Sequence, residues 1–272
     1  MNIGIEVARI EDIEKPNPIY KYRRWSDKNE KRVITNRELF MANPMKFEDE
    51  KDCNNRIRYD LLTLEQRVQL YYQSSFDEYP NLLFQERIGF ANHWALNGPL
   101  TDLDSLIKQQ EEDFVEWSNR MGVLCITGDP SNFKMWKKYS EEHTGFCVGL
   151  DSNLLFQYFG RGGKINYDDE LPIIMPSIID DYLSQSYKQV FYKERKWDFE
   201  NEYRIGKFYP AALSQKERVL TLPSEAFKEI IFGAKISNRH KQEVIDAAKK
   251  TMPQAIFKQA TFSGETITIN TI

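Results

Sequence analysis

The segment Trp197-Asp198-Phe199-Glu200-Asn201-Glu202-Tyr203-Arg204-Ile205 sets two carboxylates two residues apart, with an arginine two further on. Read as a strand, it has a period of two that puts Glu200, Glu202 and Arg204 on one face and Phe199, Tyr203 and Ile205 on the other. At a rise of roughly 3.3 Å per residue the two carboxylates stand about 6.6 Å apart. Such a pair can divide labour, one member stabilising a developing cation while the other orients or deprotonates a nucleophile. The same alternation also describes an ion-pair ladder on a solvated strand, so residue types alone leave a catalytic and a structural reading open.

Other chemistry is thinner. The three histidines (His93, His143, His240) form no HExxH or HxxxH pair, and Cys53, Cys125 and Cys147 form no CxxC. No zinc site can therefore be assembled locally, no metal is expected, and the thiols are expected reduced. Gly160-Arg161-Gly162-Gly163-Lys164 lacks the spacing of a phosphate-binding P-loop and reads as a turn, and no GxSxG elbow is present. Asp180-Asp181 followed by Glu194-Arg195-Lys196 has the acidic order of a metal-dependent nuclease, although its Glu-x-Lys falls at a predicted helix end.

The elements that must position these residues follow from periodicity. Pro16 and Pro18 lead into a Tyr-rich strand, Ile19 to Arg24; Ser26 can cap a short helix, and Glu38 to Ala42 is extended. Residues 55 to 121 read as a helical insertion, with Leu61, Leu64, Val68 and Tyr71 at helical spacing and Thr101 with Asp104 opening its last run. Val123 to Thr127 is an apolar strand, followed by a short helix with Trp136 and Tyr139 and by a strand at Gly145 to Leu150. A helix over Pro176 to Glu194, a strand over Phe199 to Phe208, strands at Arg218 to Leu222 and Glu229 to Phe232, a helix capped by Ser237 and two last strands near Ile256 to Phe262 and Thr266 to Asn270 complete the chain. Many short strands without βαβ alternation predict an α+β fold, one domain over 1–272.

Composition bounds the rest. The 272 residues are 13% aromatic and 29% charged with a net charge of −4, which predicts a folded chain and argues against a broad phosphate-binding surface. Lys21, Arg23 and Arg24, with Lys193, Arg195, Lys196 and Arg204, nevertheless lie beside the acidic pair and predict one local basic pocket. No run approaches 18 apolar residues, and Met1 to Glu6 lack a signal-peptide pattern, so a cytoplasmic protein without membrane contact is expected.

Three blocks resemble the bacterial family catalogued as domain of unknown function 2971: Tyr20-Lys21-Tyr22-Arg23; Leu124 to Thr127 through Met135-Trp136-Lys137-Lys138-Tyr139 to Gly149; and Lys193 to Arg204. They cover about residues 19 to 235. The family's Cys-Phe-Ser is here Cys125-Ile126-Thr127, and its Phe-Asn-Asp-Pro is Phe47-Glu48-Asp49-Glu50. Members of this family look like distant relatives of ADP-ribosyltransferases, in which a basic or aromatic residue, a Ser/Thr and a Glu-x-Glu follow in that order. The resemblance implies a split β core with a helical insertion, NAD as substrate, and a toxin or antiviral effector that modifies a nucleic acid or protein and has a neutralising antitoxin partner. On this reading Glu202 stabilises the ribose cation through the 2′-hydroxyl and Glu200 prepares the acceptor. Lys21, Tyr22, Arg23 and Arg204 join Thr127 in holding the dinucleotide, Arg23 at its pyrophosphate. Trp136 and Tyr139, three apart on a helix, either stack on the bases or belong to the core. A metal-dependent nuclease and a non-catalytic interaction module are the alternatives.

Overall fold

Alternation builds the first strand, and one weak seam beside it decides where a site can form. The computed structural model describes residues 12–272, so the reading of Met1 to Glu6 lies outside the described residues. In chain order β1 (Ile19–Arg23), α1 (Arg32–Thr35) and β2 (Glu38–Phe40) precede three helices, α2 (Leu64–Glu78), α3 (Phe84–Asn97) and α4 (Leu103–Arg120). Then come β3 (Met121–Thr127), α5 (Phe133–Tyr139), β4 (Phe146–Leu150), α6 (Ser152–Phe159), β5 (Gly163–Lys164), β6 (Asn166–Asp168), α7 (Tyr182–Val190), β7 (Tyr192–Glu194) and β8 (Glu202–Phe208). The chain closes with β9 (Val219–Thr221), β10 (Phe227–Phe232), α8 (Asn238–Thr251), β11 (Ile256–Ser263) and β12 (Thr266–Thr271). The architecture is α+β.

Eight strands form the main sheet in the order β12-β11-β10-β4-β1-β3-β8-β5, with β10 and β11 parallel and the other neighbours antiparallel. β1 pairs with β4 along its whole length, from Ile19 opposite Leu150 to Arg23 opposite Phe146, but meets β3 at a single position, Tyr20 opposite Thr127. The sheet therefore parts between β1 and β3. Lys21 spans the gap, its ammonium donating to the Cys125 carbonyl.

One face of the sheet is sealed by the large apolar cluster that includes Leu124, Ile126, Phe146, Ile205 and Phe232, covered by Leu155 and Phe156 of α6 and Val244 and Ala248 of α8. On the other face Met135 and Trp136 of α5 pack on Tyr20, Tyr22, Cys147 and Ile231. A small cluster of Cys53, Met121, Val123 and Val190 lies further along that face. Between these two clusters the sheet carries the polar residues described below.

Several local expectations are corrected. Phe199 to Phe208 is not one strand: Arg195–Glu200 is a 3₁₀ helix, Asn201 has φ 39°, and the strand starts at Glu202. Asparagine tolerates the left-handed region better than most residues, which lets the chain reverse there. The helix expected over Pro176 to Glu194 is confined to α7, because the Asp181 side chain caps it by accepting from the Ser184 N–H. α1 begins after Lys31, and Ser26 instead donates its hydroxyl to Glu141. α4 is capped by Asp102 rather than Thr101, the Asp102 carboxylate accepting from the Asp104 and Ser105 amides.

Candidate functional site

The strand pairing builds the site. Cys125 lies opposite Arg204 and Thr127 opposite Glu202, so these side chains project from the same face of β3 and β8. A cavity of about 380 Å³ opens above them, at the seam between β1 and β3. Lys21, Tyr22, Arg23, Thr127, Tyr139, Glu200, Glu202 and Arg204 all line it. Trp136 does not: it is fully buried, its indole N–H donates to the Pro130 carbonyl, and its ring meets Tyr22 edge-on at 5.0 Å. The stacking role considered for Trp136 is corrected to a core role behind Tyr22.

The two glutamates converge although they do not share a strand. Lys193 Nζ lies 2.6 Å from Glu200 Oε2, 3.4 Å from Glu202 Oε2 and 3.3 Å from Asp52 Oδ2. Thr127 secures the turn between the glutamates, its hydroxyl donating to the Asn201 carbonyl at 3.4 Å and accepting from the Asp129 amide at 3.2 Å. The Glu202 amide donates to the Tyr167 hydroxyl at 2.9 Å.

Arg204 has no exposed surface, and its five N–H donors are all engaged. It holds Asp52 through both terminal nitrogens at 2.7 and 2.6 Å, Glu202 at 2.8 and 3.1 Å, and the Val190 carbonyl at 2.9 Å. A direct contact from Arg204 to a dinucleotide is therefore corrected: it positions Glu202 and has no donor left for a ligand. Lys193 and Arg204 balance most of the charge of Asp52, Glu200 and Glu202, leaving one negative charge over.

This environment separates the glutamates electrostatically. Burial opposes ionisation of Glu202, but Arg204 and Lys193 outweigh it and hold its pKa down at about 2. Glu200 moves the other way, raised by burial and by the charge of Glu202 against the pull of Lys193. The Tyr139 hydroxyl donates a hydrogen bond to Glu200. The two carboxylates thus differ in proton affinity, Glu202 holding its proton less tightly than Glu200.

The opposite wall is cationic. Among the described residues, Lys21 and Arg23 have no carboxylate partner; Lys21 donates to the Cys125 carbonyl and Arg23 to the Tyr22 carbonyl at 3.2 Å. Burial and the neighbouring Arg23 lower the Lys21 pKa to about 8. The other basic residues expected in the pocket are neutralised: Arg24 by Glu30, Arg195 by Asp169 and Lys196 by Glu194. Trp197 forms part of the rim, with Lys138 and Lys193 against its ring at 4.5 and 4.9 Å.

Asp52 and Tyr167 were not foreseen. Asp52 belongs to the acidic run Glu48-Asp49-Glu50-Lys51-Asp52, a signal that charge alone could not tie to Arg204, and Tyr167 lies in a strand of three residues. The residues of the nuclease alternative each have partners of their own: Asp180 pairs with Lys188, Asp181 caps α7, and Glu194 binds Lys51 and Lys196. Among the described residues no group of three or more His, Cys, Asp or Glu could hold a metal ion, and no helix is long and apolar enough to cross a membrane.

Residues 135–205, from α5 into β8, match the family described as "Protein of unknown function (DUF2971)". The matched span contains Tyr139, Lys193, Glu200, Glu202 and Arg204, the acidic side of the cavity with its cationic supports. No curated protein and no solved structure matches the chain.

Proposed function

We propose that the protein is an ADP-ribosyltransferase that takes NAD as substrate and transfers ADP-ribose to a nucleic acid or protein in the cytoplasm. One observation carries this reading. A buried carboxylate pair of unequal proton affinity faces two cations that have no carboxylate of their own, across a cavity of about 380 Å³. A structural ion-pair ladder would account for Arg204, Lys193 and the glutamates, and a seam-spanning role for Lys21 at the Cys125 carbonyl, but it does not explain why Lys21 and Arg23 both line the cavity without a salt bridge among the described residues. Holding two half-buried cations side by side without a salt bridge is costly, and an anionic ligand would offset that cost.

In the reaction the bond from the ribose C1′ to the nicotinamide nitrogen breaks, and its electron pair leaves with neutral nicotinamide. Positive charge grows on the ribose, where the fixed charge of Glu202 stabilises the transition state more than the ground state. The acceptor's lone pair then forms the new bond to C1′, and its proton passes to Glu200, whose raised pKa suits a base. Lys21 and Arg23 hold the pyrophosphate, Arg23 through its planar fork. Tyr139 fixes the rotamer of Glu200, and Arg204 that of Glu202.

The test uses NAD labelled in its adenosine half, incubated with the protein and a bacterial lysate as the source of acceptors. Label should enter macromolecules with the wild type and not with Glu200→Gln or Glu202→Gln. Unchanged labelling in both variants, or intact NAD after prolonged incubation with the wild type, would sink the proposal.

A further inference from the structure

A second cavity of about 500 Å³ lies between the loop at Asn54 and Asn55, helix α4 and helix α7. Its lining is rich in aromatic rings and hydrogen-bond acceptors. Phe114 and Trp117, one turn apart on α4, stack at 6.0 Å with an interplanar angle of 24°. Tyr182 adds a ring that is 79% exposed, and Tyr59 a hydroxyl without a hydrogen-bond partner among the described residues. The side-chain amides of Asn55, Gln185 and Gln189 donate to the carbonyls of Pro172, Met175 and Cys53, and their oxygens accept from no donor among the described residues. The lining's one cation, Arg56, is tied to Glu111 at 3.1 Å, and Asp113, which accepts from the Gln109 amide at 2.9 Å, has no cationic partner among the described residues.

We propose that this cavity is an effector site for an organic cation, an alkylamine or polyamine, that acts on the first cavity. Ring faces attract an ammonium through their quadrupoles, and a carboxylate with free carbonyl oxygens completes its hydrogen bonding. An anionic ligand would instead meet Asp113 and find no free cation.

The coupling path is short. Trp117, which lines the second cavity, packs against the cluster of Cys53, Val123 and Val190, and Val123 lines the first cavity. Two chain segments each serve both sides. Asp52 binds Arg204 while Asn54 lines the second cavity, and the Val190 carbonyl binds Arg204 while Gln189 lines the second cavity. The Gln189 amide joins these segments at the Cys53 carbonyl, and the Cys53 thiol accepts from Arg204 at 3.2 Å. A ligand that orders Gln189 and Asn54 therefore steadies Asp52 against Arg204.

Calorimetric titration of the full chain with spermidine at low salt tests the site. Saturable one-site binding is expected, weakened about tenfold in Asp113→Asn and in Tyr182→Ala, the size of one lost cation contact. Both positions are exposed, and an unchanged melting temperature confirms that the variants fold. No saturable heat at millimolar spermidine, or the same binding in both variants, overturns the site. Hydrogen exchange at Asp52 to Asn55 should slow when spermidine binds; binding without slowing overturns the coupling.

Discussion

Arg204→Met is the substitution that probes the buried network most severely. Arginine and methionine are both unbranched, so the change removes the guanidinium while retaining much of the apolar stem. Asp52, Glu200 and Glu202, all less than a tenth exposed, would then face Lys193 alone. Removing one partner of a buried ion pair costs about 3–5 kcal/mol, because the remaining charge stays buried without compensation. Glu202→Gln should cost less. The amide keeps one oxygen to accept from Arg204 while its NH2 faces a donor that the other oxygen served, and the substitution balances the surviving charges of Asp52 and Glu200 against Lys193 and Arg204, so the loss should be about 1–3 kcal/mol. Arg204→Lys should fall nearer Arg204→Met, since an ammonium cannot hold Asp52 and Glu202 through paired forks. Urea unfolding at neutral pH, followed by circular dichroism, measures all three. Arg204→Met within about 1 kcal/mol of the wild type, or less destabilising than Glu202→Gln, would refute the view that Arg204 holds the acidic cluster together.

Further expectations can be checked independently. Lys21 has its folded pKa lowered to about 8 from 10.5, so the cost of burying its charge is complete below pH 8 and is relieved as pH rises towards 10.5. The wild type should therefore gain stability relative to Lys21→Met across that window; parallel curves would contradict the burial assigned to Lys21. An anion bound at Lys21 raises its proton affinity again, so pyrophosphate binding just above pH 8 should take up protons, seen by calorimetry in buffers of different ionisation enthalpy. Glu202, held at about 2 against an ordinary 4.5, contributes stability that is complete above 4.5 and lost as pH falls towards 2, and Glu202→Gln should flatten that acid limb. Asn201→Val puts a β-branched residue at φ 39° and should cost about 1–2 kcal/mol, whereas Asn201→Gly should cost less, by thermal unfolding.

Much of the site could be read before the fold. Lys21 and Arg23, Thr127, and Glu200 with Glu202 stand on three segments whose composition marks them as strands or strand edges, and these segments meet around one cavity. The details lay beyond local pattern. A period of two placed the glutamates on one strand face, yet Asn201 turns the chain between them, and Lys193 rather than strand geometry sets their separation. Arg204 has the residue type of a ligand-binding group, and only tertiary structure shows Asp52, 152 positions earlier, using up its fork. Trp136 illustrates the ambiguity of an aromatic at helical spacing: Tyr139 on the same helix reaches the cavity while Trp136 turns into the core. The acidic run at Glu48 to Asp52 carried no periodicity that could connect it to β8.

The rate at which purified protein releases nicotinamide from NAD, compared between the wild type and Glu202→Gln, decides whether the buried carboxylate pair is catalytic. Loss of one preorganised electrostatic contact to the transition state costs about 10²–10³ in rate, and a fall of that order is expected while the variant remains folded. Equal release by the two proteins would contradict the account.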